Sequence, residues 1–369
     1  MKTIIFILNI LLLFSSCLSK ESRKEIRLAK VNKPLNLATY FSKMKAIPLD
    51  SSVTVGQVDK VIIAQDKIIL SDFNIMKSLR VFDLNGKQLA YRDDIGEGPL
   101  GMSEISDFCI YEQKIYVLNG ARKHIYTFDL ELNQLEDIDL AYSAGSLKVT
   151  NEGILTYHQN FSEDNINSFN QYDLQGNLIQ GFYPINSELD KPYVGNEEFL
   201  VRGNELIHYH PFVDSLIILS NLAIKASYFL DFEDQFYPLS EYTSISHPLD
   251  RLKKFNEFKG YKNINHGIGL PDNKYLFSII HDHTHKFLLI NLTTHNMMLY
   301  EKLKNDFLTL PSQIKFMGND ENQAWFTIDP VILDQFYRIN YDKINEEDML
   351  INPGIEHNPI IFIAEFKNP

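Results

Sequence analysis

The sequence is poor in cysteine, tryptophan and positive charge. It has 2 Cys and 1 Trp in 369 residues, and its 35 Lys and Arg against 48 Asp and Glu give a formal net charge of -13. Surfaces that bind nucleic acid or anionic lipid need clustered Lys and Arg, so the charge argues against both classes of partner. No G-x-S-x-G, H-E-x-x-H or paired C-x-x-C motif occurs, which leaves serine-hydrolase and zinc-protease functions without support.

A long apolar run occurs at the amino terminus, where "IIFILNILLLF" follows Lys2 and precedes "SSC". The run is too short to span a bilayer and is typical of an export signal over residues 1–16. The order Leu13-Phe14-Ser15-Ser16-Cys17 is similar to a bacterial lipobox, which implies cleavage before Cys17 and acylation of its thiol. An ordinary cleaved signal with an incidental cysteine is the alternative.

The cysteine pattern then predicts no intramolecular disulfide, because Cys109 is the only thiol left once Cys17 is lipidated. Cys109 lies in the apolar run "FCIY", which favours a small buried hydrophobe over a nucleophile. Residues 17–40 are polar and charge-rich, and we expect a lipidated flexible tether there. We expect the folded domain to cover residues 41–369.

Aromatic residues are abundant, with 19 Tyr and 25 Phe, and they favour strands over helices. Three copies of one pattern, "RVFDLNGKQL", "YTFDLELNQL" and "NQYDLQGNLI", align on Asp83, Asp129 and Asp173 with steps of 46 and 44 residues. A fainter copy places Asn291 at the same point. Each copy predicts a hairpin whose Asp or Asn forms the turn.

Two further short strands precede each hairpin, so the repeating unit is a four-stranded antiparallel meander of propeller-blade size. We therefore predict an all-β, six-bladed β-propeller with two partly helical insertions, at 233–262 and about 329–357. The last blade has three strands of its own, and "MKAIPLD" at 44–50 is predicted to supply the fourth and close the ring.

Several stretches resemble bacterial six-bladed β-propeller lipoproteins related to the NHL and TolB-type propellers. They are "IPLD", "VFDLNGKQL", "IGEGPLGMSEISDF", "HPFVDSLIIL", "YFLDF" and "HNPIIFIAEFK", and the likeness covers about residues 40–367. The resemblance implies the fold and a location in the Gram-negative cell envelope, anchored by lipid to the outer membrane on its periplasmic or surface side. It implies little about chemistry.

Strand parity predicts where the loops lie. Loops between the second and third strands of a blade share one side of the ring with the blade-to-blade connectors, and we call this side the connector face. Its residues make it the candidate ligand-binding site. The candidates are Asp72, Asn119, Arg122, Lys123, His158, Asn160, His210, His281, Asp282 and His283.

Two local motifs on this face are ambiguous. In "HDHTH", alternate His281, His283 and His285 would share one side of an extended segment and could bind a divalent metal, although a solvated hairpin turn is the simpler interpretation. "GEGPLG" at 96–101 matches G-x-G-x-x-G, but Pro99 removes an amide and no helix follows. It is interpreted as a connector rather than a dinucleotide site.

These observations favour a monomeric binding or interaction module for a small molecule, glycan or protein, with no cofactor predicted and the membrane contacted only through the lipid. The alternative is a metal-dependent hydrolase or lyase, similar to lactonase propellers, that recruits Asp72, Asn119 and Asn160 at the same face. The sequence does not decide whether the protein catalyses a reaction.

Overall fold

A computed structural model of the protein describes residues 24–367 except 32, 74, 94–103, 159–166, 185–198, 203–204, 211–212, 346–348 and 352–357. The described chain is all-β, with three short α-helices between strands. Most strands pair as four-stranded antiparallel meanders in chain order, which confirms the predicted repeating unit.

The first three meanders follow one another along the chain. They comprise β4 (Lys60–Ala64), β5 (Lys67–Asp72), β6 (Ser78–Asp83) and β7 (Gln88–Arg92); β8 (Asp107–Tyr111), β9 (Lys114–Asn119), β10 (His124–Phe128) and β11 (Gln134–Asp139); and β12 (Ser146–Thr150), β13 (Gly153–Tyr157), β14 (Asn167–Tyr172) and β15 (Leu178–Pro184). Second strands are buried along most of their length, whereas the fourth strand β11 is mostly exposed. This gradient places second strands between neighbouring sheets and fourth strands outside.

The remaining meanders include strands from the amino terminus. They comprise β16 (Phe199–Arg202), β17 (Glu205–Tyr209), β18 (Ser215–Ser220) and β19 (Ala223–Asp231); β20 (Tyr261–Leu270), β21 (Lys274–His281), β22 (Thr284–Asn291) and β23 (Asn296–Tyr300); and β25 (Lys315–Asn319), β26 (Gln323–Ile328), β27 (Ile360–Phe366) and β3 (Phe41–Pro48). Two short strands, β2 (Leu35–Asn36) and β24 (Leu303–Lys304), pair with each other.

The meanders stand side by side in a closed cycle. The first strand of each contacts the first strand of the next, in the order β4, β8, β12, β16, β20, β25 and back to β4. The hydrophobic core is divided among the interfaces between neighbouring meanders; at one of them Ile69 and Val81 pack with Phe108 and Val117. Sheets arranged in this way around an axis form a β-propeller.

The predicted closing strand is confirmed. β3 pairs antiparallel with β27, with Ile47 opposite Ile361, so a strand near the amino terminus completes the sheet that ends the chain. Phe41 stacks on Phe366 at the end of this pair, with ring centroids 5.2 Å apart. Residues 44–48 therefore form part of the strand that closes the ring, as the short apolar pattern at 44–50 predicted.

The flexible tether predicted over residues 17–40 is wrong for the described part of that segment. β1 (Lys24–Val31) pairs in parallel with both β19 and β23, and joins two meanders into a nine-stranded sheet. Its sequence KEIRLAKV alternates charged and apolar residues, so Ile26 is fully buried while its neighbours face solvent. The high polarity of residues 17–40 as a whole pointed to a tether, although the alternation of polar and apolar residues within β1 is typical of a strand. Cys17 and the export signal lie outside the described residues.

Both predicted insertions contain helices. α1 (Leu239–Ser244) and α2 (Pro248–Glu257) lie between β19 and β20, and α3 (Pro330–Ile339) follows β26. Lys262 of β20 holds α2 against the ring, since its Nζ donates to the carbonyl oxygens of Phe255, Asn256 and Phe258. No helix in the described ranges is long and apolar enough to cross a bilayer.

Candidate functional site

Asp72 and Asn119 end second strands on the connector face, and their side chains bond to loop backbone. Asp72 accepts from the amides of Gln57 and Ile75 at 2.9 and 2.7 Å, and Asn119 accepts from the amide of Arg122 at 3.1 Å. Both side chains are fully or almost fully buried. These bonds stabilise the loops that follow the strands.

Arg122 and Lys123 are exposed beside Asn119, and Asn160 lies outside the described residues.

His158 and His210 are buried in the ring rather than displayed on its surface. The Nδ1 atom of His158 lies 2.6 Å from the carbonyl oxygen of Ser143, and burial lowers the pKa of this imidazole. Burial also lowers the pKa of His210 to about 3, as it does for the neighbouring His208. These imidazoles are therefore neutral at pH 7.

The "HDHTH" segment forms a tight hairpin. Asp282 and His283 have φ angles of 48° and 62° and make the two-residue turn between β21 and β22, with His281 opposite Thr284. The ring of His281 packs against that of Tyr261 at a tilt of 35° with centroids 4.2 Å apart, whereas His283 is exposed in the turn. The extended arrangement on which the metal interpretation depended is thus wrong. In the described part of the chain, no three His, Cys, Asp or Glu form a group that could hold a metal ion.

The repeated Asp positions are turn formers, as predicted. The Oδ1 atoms of Asp83, Asp129 and Asp173 each accept from the amides two and four residues ahead, at 2.8 to 2.9 Å. Gly86 has a φ of 83°, and a Cβ there would lie 2.0 Å from the carbonyl oxygen of Pro48. These turns lie on the side opposite the connector face, which we call the turn face.

A cavity of about 290 Å³ lies on the axis, between the first strands β4, β8, β12, β16 and β25. Its walls are largely apolar and include Ile62, Ile110, Leu147, Leu200 and Trp325. The indole Nε1 of Trp325 donates to the carbonyl oxygen of Val61 at 2.8 Å and fixes the ring in the wall. A small concave site with apolar walls and few polar groups is typical of a ligand pocket.

Two lysines provide the cationic groups of this cavity. Lys60 begins β4, and its Nζ lies 2.7 Å from Oδ1 of Asp107, at the start of β8. Lys148 lies midway along β12, and within the described chain its ammonium group makes no hydrogen bond or ion pair. Cys109 also lines the cavity and is buried, as predicted, and its burial raises the pKa of its thiol to about 11.

The cavity adjoins a cleft of about 860 Å³ on the turn face. The two share Asn319, Asp320 and Glu321, which lie at and just beyond the end of β25. Arg202 at the end of β16 lines the same cleft. The cavity therefore lies next to a cleft on the face opposite the one that the sequence favoured.

Sequence reasoning missed Lys60, Asp107 and Lys148. They lie in first strands, within the largely apolar segments "KVIIA", "DFCIY" and "SLKVT". A single charged residue in such a segment is normally interpreted as a solvent-facing position of a strand whose other face is buried. The sequence does hold a signal: once the ring is predicted, a lysine in the middle of a first strand lies beside the axis of the ring. The connector-face loops, from which the candidates came, do not include these positions.

The four-stranded sheets around an axial cavity define an all-β protein of the β-propeller class. The sequence profile of DUF4934, described as a domain of unknown function, matches residues 24–365, and the chain belongs to this family. No curated protein matches the chain.

Solved structures share the fold. The chain is similar to a Bacteroides fragilis protein described as exported, with a TM-score of 0.70, 14% identity, and coverage of 94% of this chain and 100% of that one. It is also similar to a member of the DUF4221 family from Bacteroides vulgatus, with a TM-score of 0.52, 14% identity, and coverage of 89% and 98%. Identities this low show a common fold alone.

Proposed function

We propose that the protein is a binding module of the cell envelope that holds a small ligand in its axial cavity. The concave axial cavity of about 290 Å³ carries the proposal. Its apolar walls supply affinity, and its few polar groups supply orientation, which is the usual division of roles in a small-molecule site. Rigid first strands surround the space, so little ordering of the protein is needed on binding.

We infer that the propeller has six blades and is related to the NHL and TolB-type propellers. The count takes each isolated four-stranded sheet as one blade and the nine-stranded sheet as two blades joined by β1. The cycle of contacts between first strands supports it, as does the residue spacing of the repeats.

The binding proposal is tested by filling the cavity. Ala64 lines it, and we expect Ala64→Phe to occupy part of the space. A library of small metabolites is screened for compounds that raise the Tm of the wild-type protein, since a ligand bound to the folded state stabilises it. Compounds bound in the cavity lose this effect in Ala64→Phe and keep it in Ala29→Phe, a control at an exposed position of β1. Equal Tm increases in both variants would contradict binding in the cavity.

The envelope location is proposed to depend on acylation of Cys17. The described fold begins at Lys24 on the outer rim, and the span from Cys17 reaches at most about 25 Å, so the anchor would hold the rim close to the bilayer. The fold that the chain shares with a protein described as exported is in keeping with this.

The anchor is tested by partition between detergent and water after expression in a Gram-negative host. We expect the wild-type protein in the detergent phase and Cys17→Ala in the aqueous phase, because one acylated cysteine supplies the membrane affinity. Cys109→Ala, at the other and buried cysteine, should stay in the detergent phase. Wild-type protein in the aqueous phase would refute the lipid anchor.

A further inference from the structure

The two lysines of the cavity differ in how their charge is balanced. Both carboxylate oxygens of Asp107 already accept hydrogen bonds. Oδ1 accepts from Nζ of Lys60 and from the amide of Phe108, and Oδ2 accepts from the amide of Leu147 at 2.8 Å. Lys60 therefore has a partner. Lys148 faces the same cavity, and among the described residues no carboxylate reaches its Nζ.

An ammonium group that lines a largely apolar cavity with no partner among the described residues opposes folding, because it loses part of its water and gains no hydrogen bond in return. Methionine or leucine would fill the same place at no such cost. Consistent with the burial, the pKa of Lys148 is lowered, with nearby Lys60 lowering it further, whereas Cys109 and Asp107 raise it. A residue that opposes stability in a rigid cavity points to a role in binding.

We propose that Lys148 and Lys60 form an anion subsite that holds the carboxylate of a small monocarboxylic acid with an apolar body. This inference rests on the proposed function, since it names the class of ligand for the same cavity. The acid's charge would complete the bonding of Lys148, and its hydrocarbon would pack against Leu200 and Trp325. A bound carboxylate would give Lys148 a charge-assisted hydrogen bond.

The distribution of charge along the cavity selects one carboxylate rather than two. Asp320 and Glu321 line its turn-face end, whereas Lys60 begins β4 at the opposite end of the cavity. A second negative group at that end would be repelled, so dicarboxylates and polyphosphates are disfavoured. The volume lies at the lower end of the range for small-molecule pockets, which favours acids with few heavy atoms.

Binding of the acid should also depend on pH. The groups that face Lys148 are Lys60 on β4 and Asp107 and Cys109 on β8. A bound carboxylate favours the charged amine and so raises the pKa of Lys148. The affinity for the acid is therefore lower at a pH at which Lys148 is neutral than at a pH at which it is charged.

The single tryptophan makes the test direct, because Trp325 lines the cavity and its fluorescence reports occupancy. The probes are hexanoate, octanoate and 4-phenylbutyrate, each beside its primary amide. We expect at least one acid to change Trp325 emission saturably, with its amide about tenfold weaker or more. In Lys148→Met the affinity for that acid falls by a similar factor and that for the amide does not change. Lys343→Met, at an exposed lysine, serves as the matched control.

Equal affinity for acid and amide in the wild-type protein would overturn the anion subsite, and this comparison needs no variant. Saturable binding of the amides would at the same time leave the proposed binding function standing. A failure of all three acids to bind would overturn the ligand class, while the cavity-filling experiment judges the binding function separately. Unchanged affinity for the acid in a folded Lys148→Met protein would also contradict the inference.

Discussion

His208 is a histidine enclosed by aromatic rings, and its protonation should make the fold sensitive to acid. Its ring packs against Tyr157 at a tilt of 34°, with centroids 4.1 Å apart, and makes an edge contact with Phe169. Burial lowers its pKa from 6.5 to about 3. Between these values the unfolded chain binds a proton that the folded protein does not, so stability is fully present above pH 6.5 and declines as the pH falls towards 3.

We expect His208→Phe to reduce this sensitivity to acid. The contribution of His208 to the loss between pH 7 and pH 5 is on the order of 2 kcal/mol, and it is absent when the residue cannot be protonated. Denaturant unfolding at both pH values measures it. His247→Gln, at an exposed histidine before α2, should retain the wild-type dependence. Parallel curves for His208→Phe and wild type would contradict the assignment, and His210, whose pKa is also lowered to about 3, would then account for the effect.

Individual residues were predictable where local chemistry decides their role. Asp83, Asp129 and Asp173 were expected to form turns, and their amide contacts are equivalent in all three copies. Asp72 was predicted to bind a ligand because it lies at a connector-face loop. Instead, its carboxylate accepts a hydrogen bond from the amide of Gln57, in the segment before β4. That bond crosses 15 residues, and no short pattern could have indicated it.

Among the elements, β1 is the clearest case in which tertiary context decides the structure. It supplies hydrogen bonds to the outer edges of β19 and β23, which would otherwise be open to pairing with other chains. We expect Ile26→Ala to destabilise the protein by about 2 to 4 kcal/mol, because the side chain is fully buried between the two meanders.

The matched control for this prediction is Arg27→Ala, the next residue along the same strand. Its side chain is 79% exposed, and its ion pair with Glu25 is also exposed, so the pair contributes little to the free energy of unfolding. We expect a change in the free energy of unfolding below about 0.5 kcal/mol. If both variants unfold at the same denaturant concentration as the wild type, β1 does not contribute to the stability of the ring.

At the scale of the whole molecule, the repeats predicted the architecture, but the position of the candidate site was not predicted. The repeat spacing set the meanders, and the apolar residues at 44–50 indicated closure. The site depends on which residues converge on the axis. Lys60, Asp107 and Lys148 come from three consecutive meanders and are up to 88 residues apart in the sequence. Their convergence follows from the ring and could be predicted only after the ring itself.

The pairing of β3 with β27 also determines when the protein can complete its fold during synthesis. Ile47 and Ile361 are partners, so the ring cannot close until nearly all of the chain has emerged. Contacts this distant in sequence fold slowly, because a long loop must be ordered before they form. The first meanders are therefore synthesised long before the strand that completes the ring is available.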